Sequence, residues 1–248
     1  MGSLTPYYQD DQITLYCDDC LTVLAQLDEV DHVITDPPYS EHVHANGRTT
    51  KTTKRQTDVK EVDFGFDHLG DELRRNLANE FSRLSSRWSL IFTDLEGVHG
   101  WIEDINANGR LEYIRTGIWV KANPSPQFTG DRPGSGAEAV VIAHRSELNK
   151  PIKKRWNGGG KAAIWGANDK RRHAAETRVH PTQKPTWLLV DMILQFTDSG
   201  ELVLDPFAGS GSTLLAARET GRRAIGIEMN EKYCELIVNR LQATPLLT

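Results

Sequence analysis

Leu202-Val203-Leu204-Asp205 reads as a short apolar strand that runs through Pro206-Phe207-Ala208-Gly209-Ser210-Gly211-Ser212-Thr213 into a helix-forming stretch. This junction constrains the fold more than any other feature. A strand that passes through a glycine turn into a helix is the building unit of a parallel α/β sheet. Two glycines two positions apart let the backbone turn tightly and approach a ligand closely. The helix start adds free N–H groups and the positive end of the helix dipole. Such a junction suits an adenosine-bearing ligand with an anionic part. It is not a dinucleotide fingerprint, because Leu214 stands where the third glycine belongs. Nor is it a phosphate-binding Walker loop, because no lysine follows Gly211. Glu228 ends the next strand, Arg223–Glu228, about 20 residues on, where folds of this type place an acid to accept ribose hydroxyls. Taken singly, the turn also fits a plain strand–helix junction, and Glu228 an exposed strand end.

The rest of the chain repeats the alternation. Strands are expected at 13–17, 30–35, 88–93, 111–120, 137–144, 201–205 and 223–228. Helices are expected at 21–27 (a turn or two), 71–86, 97–106, 185–196, 212–220 and 231–241. The helix at 71–86 follows from Leu73, Leu77, Phe81 and Leu84 at helical spacing. The pattern implies an α/β fold with a mostly parallel sheet covered on both faces. Its 248 residues suit a single domain, 1–248, carrying two polar, basic segments at 40–61 and 145–179.

Charge is distributed unevenly. The chain has a net charge of −5, yet residues 150–184 hold ten Lys/Arg against Asp169 and Glu176, and 48–60 hold five against Asp58. An acidic body with two basic segments can bind a polyanion through those segments. They also fit the description of solvated loops. Three cysteines, Cys17, Cys20 and Cys234, do not make a disulfide framework and point to a reducing compartment. Cys17-x-x-Cys20 has the spacing of half a zinc site, but no second Cys/His pair follows at zinc-finger spacing, so no metal is expected. The chain shows no signal-like N-terminus and no apolar run long enough to span a bilayer, which points to the cytoplasm.

Asp36-Pro37-Pro38-Tyr39 stops the strand at 30–35. Proline cannot donate to a ladder, so the turn lies at the carboxyl end of a strand, where open α/β sheets bind ligands. Two prolines hold the Asp36 carboxylate and the Pro37 carbonyl in fixed directions, as acceptors with no competing donor. An exocyclic amine has two N–H groups to give. Fixed acceptors can turn its lone pair toward an electrophile and stabilise the charge that develops. Tyr39 adds a face on which a nucleobase can stack. The alternative is an ordinary Pro-Pro turn.

With these motifs together, the sequence resembles the amino-group DNA methyltransferases that use S-adenosylmethionine, over nearly the whole chain. Asp36–Tyr39 looks like the family's catalytic motif, and Asp205–Thr213 like its cofactor loop. His180-Pro181-Thr182-Gln183-Lys184-Pro185 is similar to the segment near the cofactor's methionine part. Leu15–Leu21 resembles a strand-end segment in which Asp19 contacts the adenine of the cofactor. The catalytic motif precedes the cofactor loop, as in the circularly permuted β class, and the basic insert sits between them. Trp119–Pro124 with Gln127–Pro133 is similar to a segment that helps hold the target base. Together with Arg155–Lys161, the chain looks most like bacteriophage or prophage members.

The resemblance implies a Rossmann-like methyltransferase fold and site-specific transfer of a methyl group to double-stranded DNA after base flipping. An aspartate at position 36 is typical of adenine-N6 enzymes, and serine is more usual in cytosine-N4 ones. The implied catalytic residues are Asp36, Pro37, Pro38 and Tyr39. The implied cofactor residues are Asp19, Cys20, His180, Thr182, Lys184, Asp205, Phe207, Gly209, Gly211, Ser212, Thr213 and Glu228. Arg48, Lys51, Lys54, Arg55, Lys121, Arg132, Lys153, Lys154, Arg155, Arg171 and Arg172 are expected on DNA. Some members of the class pair as homodimers. A cytosine-N4 enzyme is the nearest alternative, and a nucleic-acid-binding module with a vestigial cofactor site is the non-enzymatic one.

Overall fold

The computed structural model describes residues 4–39, 69–107, 109–121, 124, 130–131, 133–146, 154–166 and 183–243. Among these residues nine strands form one sheet: β1 (Tyr8–Gln9), β2 (Ile13–Cys17), β3 (His32–Thr35), β4 (Trp88–Thr93), β5 (Leu111–Val120), β6 (Ala137–Arg145), β7 (Ile164–Trp165), β8 (Leu202–Asp205) and β9 (Arg223–Glu228). Their order is β1-β2-β9-β8-β3-β4-β6-β5-β7. The central run from β2 to β4 is parallel, and β6 lies antiparallel to both β4 and β5. The helices are α1 (Cys20–Leu24), α2 (Asp71–Leu84), α3 (Val98–Ala107), α4 (Thr186–Phe196), α5 (Ser212–Glu219) and α6 (Glu231–Ala243).

The central strands β3 and β4 are buried at every position because both faces are covered. Successive residues alternate between two cores. Ile34, Leu90, Phe92 and Val203 face a core built with Leu188, Met192 and Phe196 of α4, Leu214 of α5 and Ile237 of α6. Val33, Ile91 and Leu204 face a core built with Leu24 of α1, Leu77 and Phe81 of α2, and Trp101 of α3. Phe81 and Trp101 stack with ring centroids 6.1 Å apart. Each such side chain, fully buried, contributes about 1.5–3 kcal/mol. In α2 the expected face is buried, with Asp71 and Glu72 in the first turn and Arg83 in the last, as the helix dipole favours.

β3 and β8 are parallel neighbours, with Val33 opposite Leu204. From this pair the chain winds outward in both directions, through β9 on one side and β4 on the other. This reversal is the topological switch point of the sheet, and a crevice opens at the carboxyl ends of the two strands. Asp36 follows one strand and Pro206 the other, so both motifs meet there.

Two short strands, β1 and β7, have no counterpart in the sequence reading. β7 belongs to the basic insert. Trp165 pairs with Trp119 of β5. Trp156 packs edge-on against Phe196, with centroids 4.5 Å apart, and the Asn157 amide donates to the Gln195 carbonyl at 2.8 Å. The described part of the insert, 154–166, is therefore built into the domain by its tryptophans. Segment 40–61 lies outside the described residues. Among the described residues no helix is long and apolar enough to cross a membrane.

Candidate active site

β3 is buried along its whole length and delivers Asp36 to the crevice. Asp36 Oδ2 accepts from the Lys184 ammonium at 2.5 Å. Its Oδ1 is buried and has no hydrogen-bond partner among the described residues, although 26% of the side chain remains accessible. One oxygen of the carboxylate is thus paired and the other is unsatisfied. Burial raises its pKa above the usual carboxylate range, against the lowering effect of Lys184. Tyr39 donates its hydroxyl to Glu138 Oε2 at 2.5 Å, and burial between Asp36 and Glu138 keeps the phenol firmly protonated.

Lys184 is 8% exposed. Besides Asp36, its ammonium lies 3.0 Å from Glu138 Oε2 and 3.0 Å from the Tyr39 hydroxyl. It also lies 5.1 Å from the ring centroid of Phe92, 5.2 Å from that of Tyr39 and 5.9 Å from that of Trp119. Burial alone would discharge such a lysine. The two carboxylates outweigh burial and hold its pKa above the ordinary value. Glu138 is in turn kept ionised: burial pushes its pKa up, but Lys184 and Lys121, the latter 2.7 Å from Oε1, bring it below normal. Two carboxylates and two ammoniums therefore balance in one compact cluster. The structure brings Lys184, which the resemblance assigns to the cofactor, against the Asp36–Tyr39 turn. Glu138 was missed altogether. Its signal was a lone acid near the start of a buried strand, Ala137–Arg145, just before the apolar run Ala139–Ala143.

The second half of the crevice is the glycine turn. Gly209 and Gly211 have φ of 52° and 82°, in the left-handed region. A Cβ on Gly211 would stand 2.9 Å from Ile237 of α6, so packing and backbone both require glycine. A Cβ on Gly209 would meet nothing closer than the Phe207 carbonyl at 3.9 Å, so the space before the turn is open to a ligand. The Gly209 amide donates to Glu228 Oε2 at 2.9 Å, and the Asn230 amide to Oε1 at 2.8 Å. These bonds aim the carboxylate across the turn, and burial raises its pKa. The Ser212 hydroxyl is buried at the start of α5 with no partner. The set fits an adenosyl cofactor bearing a carboxylate: an acid for ribose hydroxyls, open glycine backbone, and an unused hydroxyl beside free amides.

Asp19 is the N-cap of α1, its Oδ1 accepting from Thr22 N at 2.9 Å. It lies two residues past Cys17, which pairs with Glu228 in the sheet, so it stands on the same rim. Cys20 is a core residue, 7% exposed, its thiol pushed up to about 12 by burial. Asp205 is also buried beneath the turn. Thr35 Oγ1 and the Phe207 amide donate to its Oδ1 at 2.8 and 3.1 Å, and burial raises it to about 6. It ties the residue before Asp36 to the cofactor turn. Thr213, 5% exposed, also hydrogen-bonds Asp205, and Phe207 packs on the core.

The basic residues divide. Lys121 stands at the catalytic end through its bond to Glu138. Lys154 pairs with Glu112 at 2.6 Å and Arg155 with Asp198 at 3.2 Å. Glu112 opens β5, whose other end carries Lys121, so this pair lies about 30 Å away along the strand. Lys154 and Arg155 thus lie at the opposite end of the sheet from the crevice, where Trp156 packs on Phe196 and anchors this part of the insert. Arg48, Lys51, Lys54, Arg55, Arg132, Lys153, Arg171, Arg172, His180 and Thr182 lie outside the described residues.

Comparison with known proteins agrees with this geometry. The chain is 26% identical to the type II methyltransferase M2.DpnII of Streptococcus pneumoniae, an alignment covering 96% of this chain and 92% of the relative. Its fold is similar to that of the cytosine-N4-specific PvuII DNA methyltransferase, with a TM-score of 0.68, 16% identity, and coverage of 96% of this chain and 89% of that one. It is likewise similar to M1.HpyAVI in its complex with SAM, with a TM-score of 0.61, 22% identity, and coverage of 92% and 99%. A family model for N6/N4-type DNA methylases matches residues 30–239. From the Asp36 turn through the glycine turn, this chain belongs to the N6/N4 DNA methylase family.

Proposed function

We propose that the protein methylates the N6 amino group of adenine in double-stranded DNA. The observation that carries this reading is the unpartnered, buried Oδ1 of Asp36. An acceptor held in place and left unsatisfied is costly unless a donor arrives. The amino group of a flipped base is such a donor. The choice of adenine rests on the aspartate itself, which resembles the adenine-N6 members of the family.

S-adenosylmethionine, when bound, supplies a methyl group already activated on a sulfonium centre. The residues of the chain do the rest. Glu228, Asp19 and the glycine turn hold the adenosyl part, and Ser212 with the start of α5 meets the carboxylate. Asp36 Oδ1 and the Pro37 carbonyl accept the two amine hydrogens, directing the nitrogen lone pair at the methyl group. As the nitrogen gains positive charge, the carboxylate stabilises it. Tyr39 offers its ring to the base. Orientation supplies much of the rate.

The DNA-binding face follows from where chain segments leave the domain. The Leu69 amide donates to the Tyr39 carbonyl at 3.1 Å, so the two residues that flank segment 40–68 lie side by side at the Asp36–Tyr39 turn. Trp165 and Lys184 likewise bracket the segment with Arg171 and Arg172 at the catalytic end, and Lys121 precedes the one with Arg132. These basic residues, with Arg48, Lys51, Lys54 and Arg55, are the proposed phosphate contacts.

The test is methyl transfer from labelled S-adenosylmethionine to unmethylated genomic DNA, followed by nucleoside analysis. N6-methyladenine is expected. N4-methylcytosine would overturn the choice of base, and no label in DNA would overturn the reading.

A further inference from the structure

A buried lysine bonded to the catalytic aspartate, and a buried glutamate bonded to both that lysine and the catalytic tyrosine, do more than fill space. We propose that Lys184 and Glu138 are positioning residues of the methyl-transfer step: the Lys184 ammonium clamps Oδ2 of Asp36 so that Oδ1 points to the target amine, and Glu138 holds Lys184 and the Tyr39 hydroxyl in register. The inference rests on the reading of Asp36 given above and extends it to two residues outside the turn.

The geometry argues for a device. The three elements that meet here come from far apart in the chain: the turn after β3, the start of β6, and the segment before α4. A carboxylate on one side chain rotates about two bonds. Pro37 fixes the backbone of the turn but not that rotation. The Lys184 contact at 2.5 Å fixes it. Lys184 itself is a flexible side chain, and it is held by Glu138 at 3.0 Å and by three aromatic rings. Glu138 is held by Lys121 and Tyr39. Each member is thus oriented by another, and the chain of contacts ends on the one oxygen without a partner.

A cluster that merely filled the crevice wall would make a different prediction from one that sets the charge and direction of Asp36. The groups facing Asp36 are Lys184, Glu138, Tyr39 and, from β8, Asp205, with Lys121 acting through Glu138. Ionised Asp36 accepts from the amine more strongly and stabilises the positive charge that develops on its nitrogen. Removing the positive charge of Lys184 disfavours the ionised form, so Asp36 titrates at higher pH. Removing the negative charge of Glu138 favours it, so Asp36 titrates at lower pH. The two variants must shift in opposite directions.

The experiment uses the full chain with Lys184→Met and Glu138→Gln. Met fills the aromatic slot without charge. Gln keeps the shape of Glu138 and still accepts from Tyr39, so it preserves folding if Met does not. Asp36 is titrated directly by carboxyl-carbon NMR, its resonance assigned by loss in Asp36→Asn. Single-turnover methylation of unmethylated genomic DNA is measured across pH, and S-adenosylmethionine affinity by calorimetry. The expected result is opposite shifts of the Asp36 titration in the two variants, with the acid limb of the rate following each. Rates should fall about 10- to 100-fold, with cofactor Kd within about threefold of the parent, a difference below 1 kcal/mol. Unmoved or same-direction shifts overturn the proposal. So does a Lys184→Met variant that loses cofactor affinity while Asp36 titrates normally, which would return Lys184 to the cofactor site. The NMR titration needs no substrate, so a wild-type protein that labels cytosine, or nothing, would fail the functional reading without deciding this one.

Discussion

Asp205 offers the sharpest test of how the crevice is built. Its carboxylate is 3% exposed, and its pKa is raised from 3.8 to about 6 by burial, despite donors from Thr35, Thr213 and the Phe207 amide. In the unfolded chain it returns to about 3.9. The folded state therefore binds the extra proton between about pH 4 and 6, and stability from this group rises as pH falls through that window. Above pH 6 the ionised form costs the fold about 3 kcal/mol at about 1.4 kcal/mol per pH unit. Between pH 7.5 and 4.5, about 2 kcal/mol of this should be recovered. Asp205→Asn has nearly the same shape, keeps an acceptor for Thr35 and Phe207, and cannot ionise. Its stability relative to the parent should therefore be higher at pH 7.5 than at pH 4.5 by about 2 kcal/mol, or about 4–8 °C in Tm for a domain of this size. Hydrogen-bond changes that do not depend on pH cancel in this difference. Urea denaturation followed by tryptophan fluorescence at the two pH values gives the number. A difference between variant and parent that is the same at both pH values would refute the burial argument for Asp205.

Three further outcomes are expected. Asp36→Ala should lower single-turnover methylation by at least about 100-fold while calorimetry shows S-adenosylmethionine affinity unchanged; near-normal turnover would remove Asp36 from the chemistry. Gly211→Ala forces an alanine to φ 82° and sets its Cβ against Ile237, so it should destabilise by at least about 1–2 kcal/mol and weaken cofactor binding, read from denaturation and calorimetry. The double variant Lys154→Ala, Arg155→Ala should leave DNA affinity within about twofold and the salt dependence unchanged, because each lost phosphate contact would reduce the slope of log K against log salt by about 0.9; a measurable drop would put the far end of the sheet on DNA.

The element pattern was legible because it is written in local periodicity. Trp88–Thr93 is dominated by large apolar residues, with Trp88, Leu90, Ile91 and Phe92 in one short run, and Leu73, Leu77, Phe81 and Leu84 repeat at helical spacing. Both features survive in the fold because each element buries the face its pattern marks. The two strands that escaped notice, Tyr8–Gln9 and Ile164–Trp165, are two residues long and owe their pairing to neighbours rather than to any pattern of their own. The path of the basic insert was hidden for a related reason: Trp156 packs on Phe196 and Trp165 pairs with Trp119 at the other end of the sheet, and those partners are distant in sequence.

The sequence by itself determined the alternating α/β fold, the glycine turn and the Asp36 turn, because a turn that needs left-handed glycine or a proline stop must be encoded where it occurs. Only the tertiary structure decided what surrounds those turns. Residues 36, 138 and 184 are far apart along the chain, and a buried charge is tolerated only when folding brings its counter-charge within hydrogen-bond reach. That pairing depends on strand order and on which strand ends meet at the switch point, and no local spacing records it. The sheet order that sets β8 beside β3 therefore makes two turns into one site. It also leaves one oxygen of Asp36 buried without a partner.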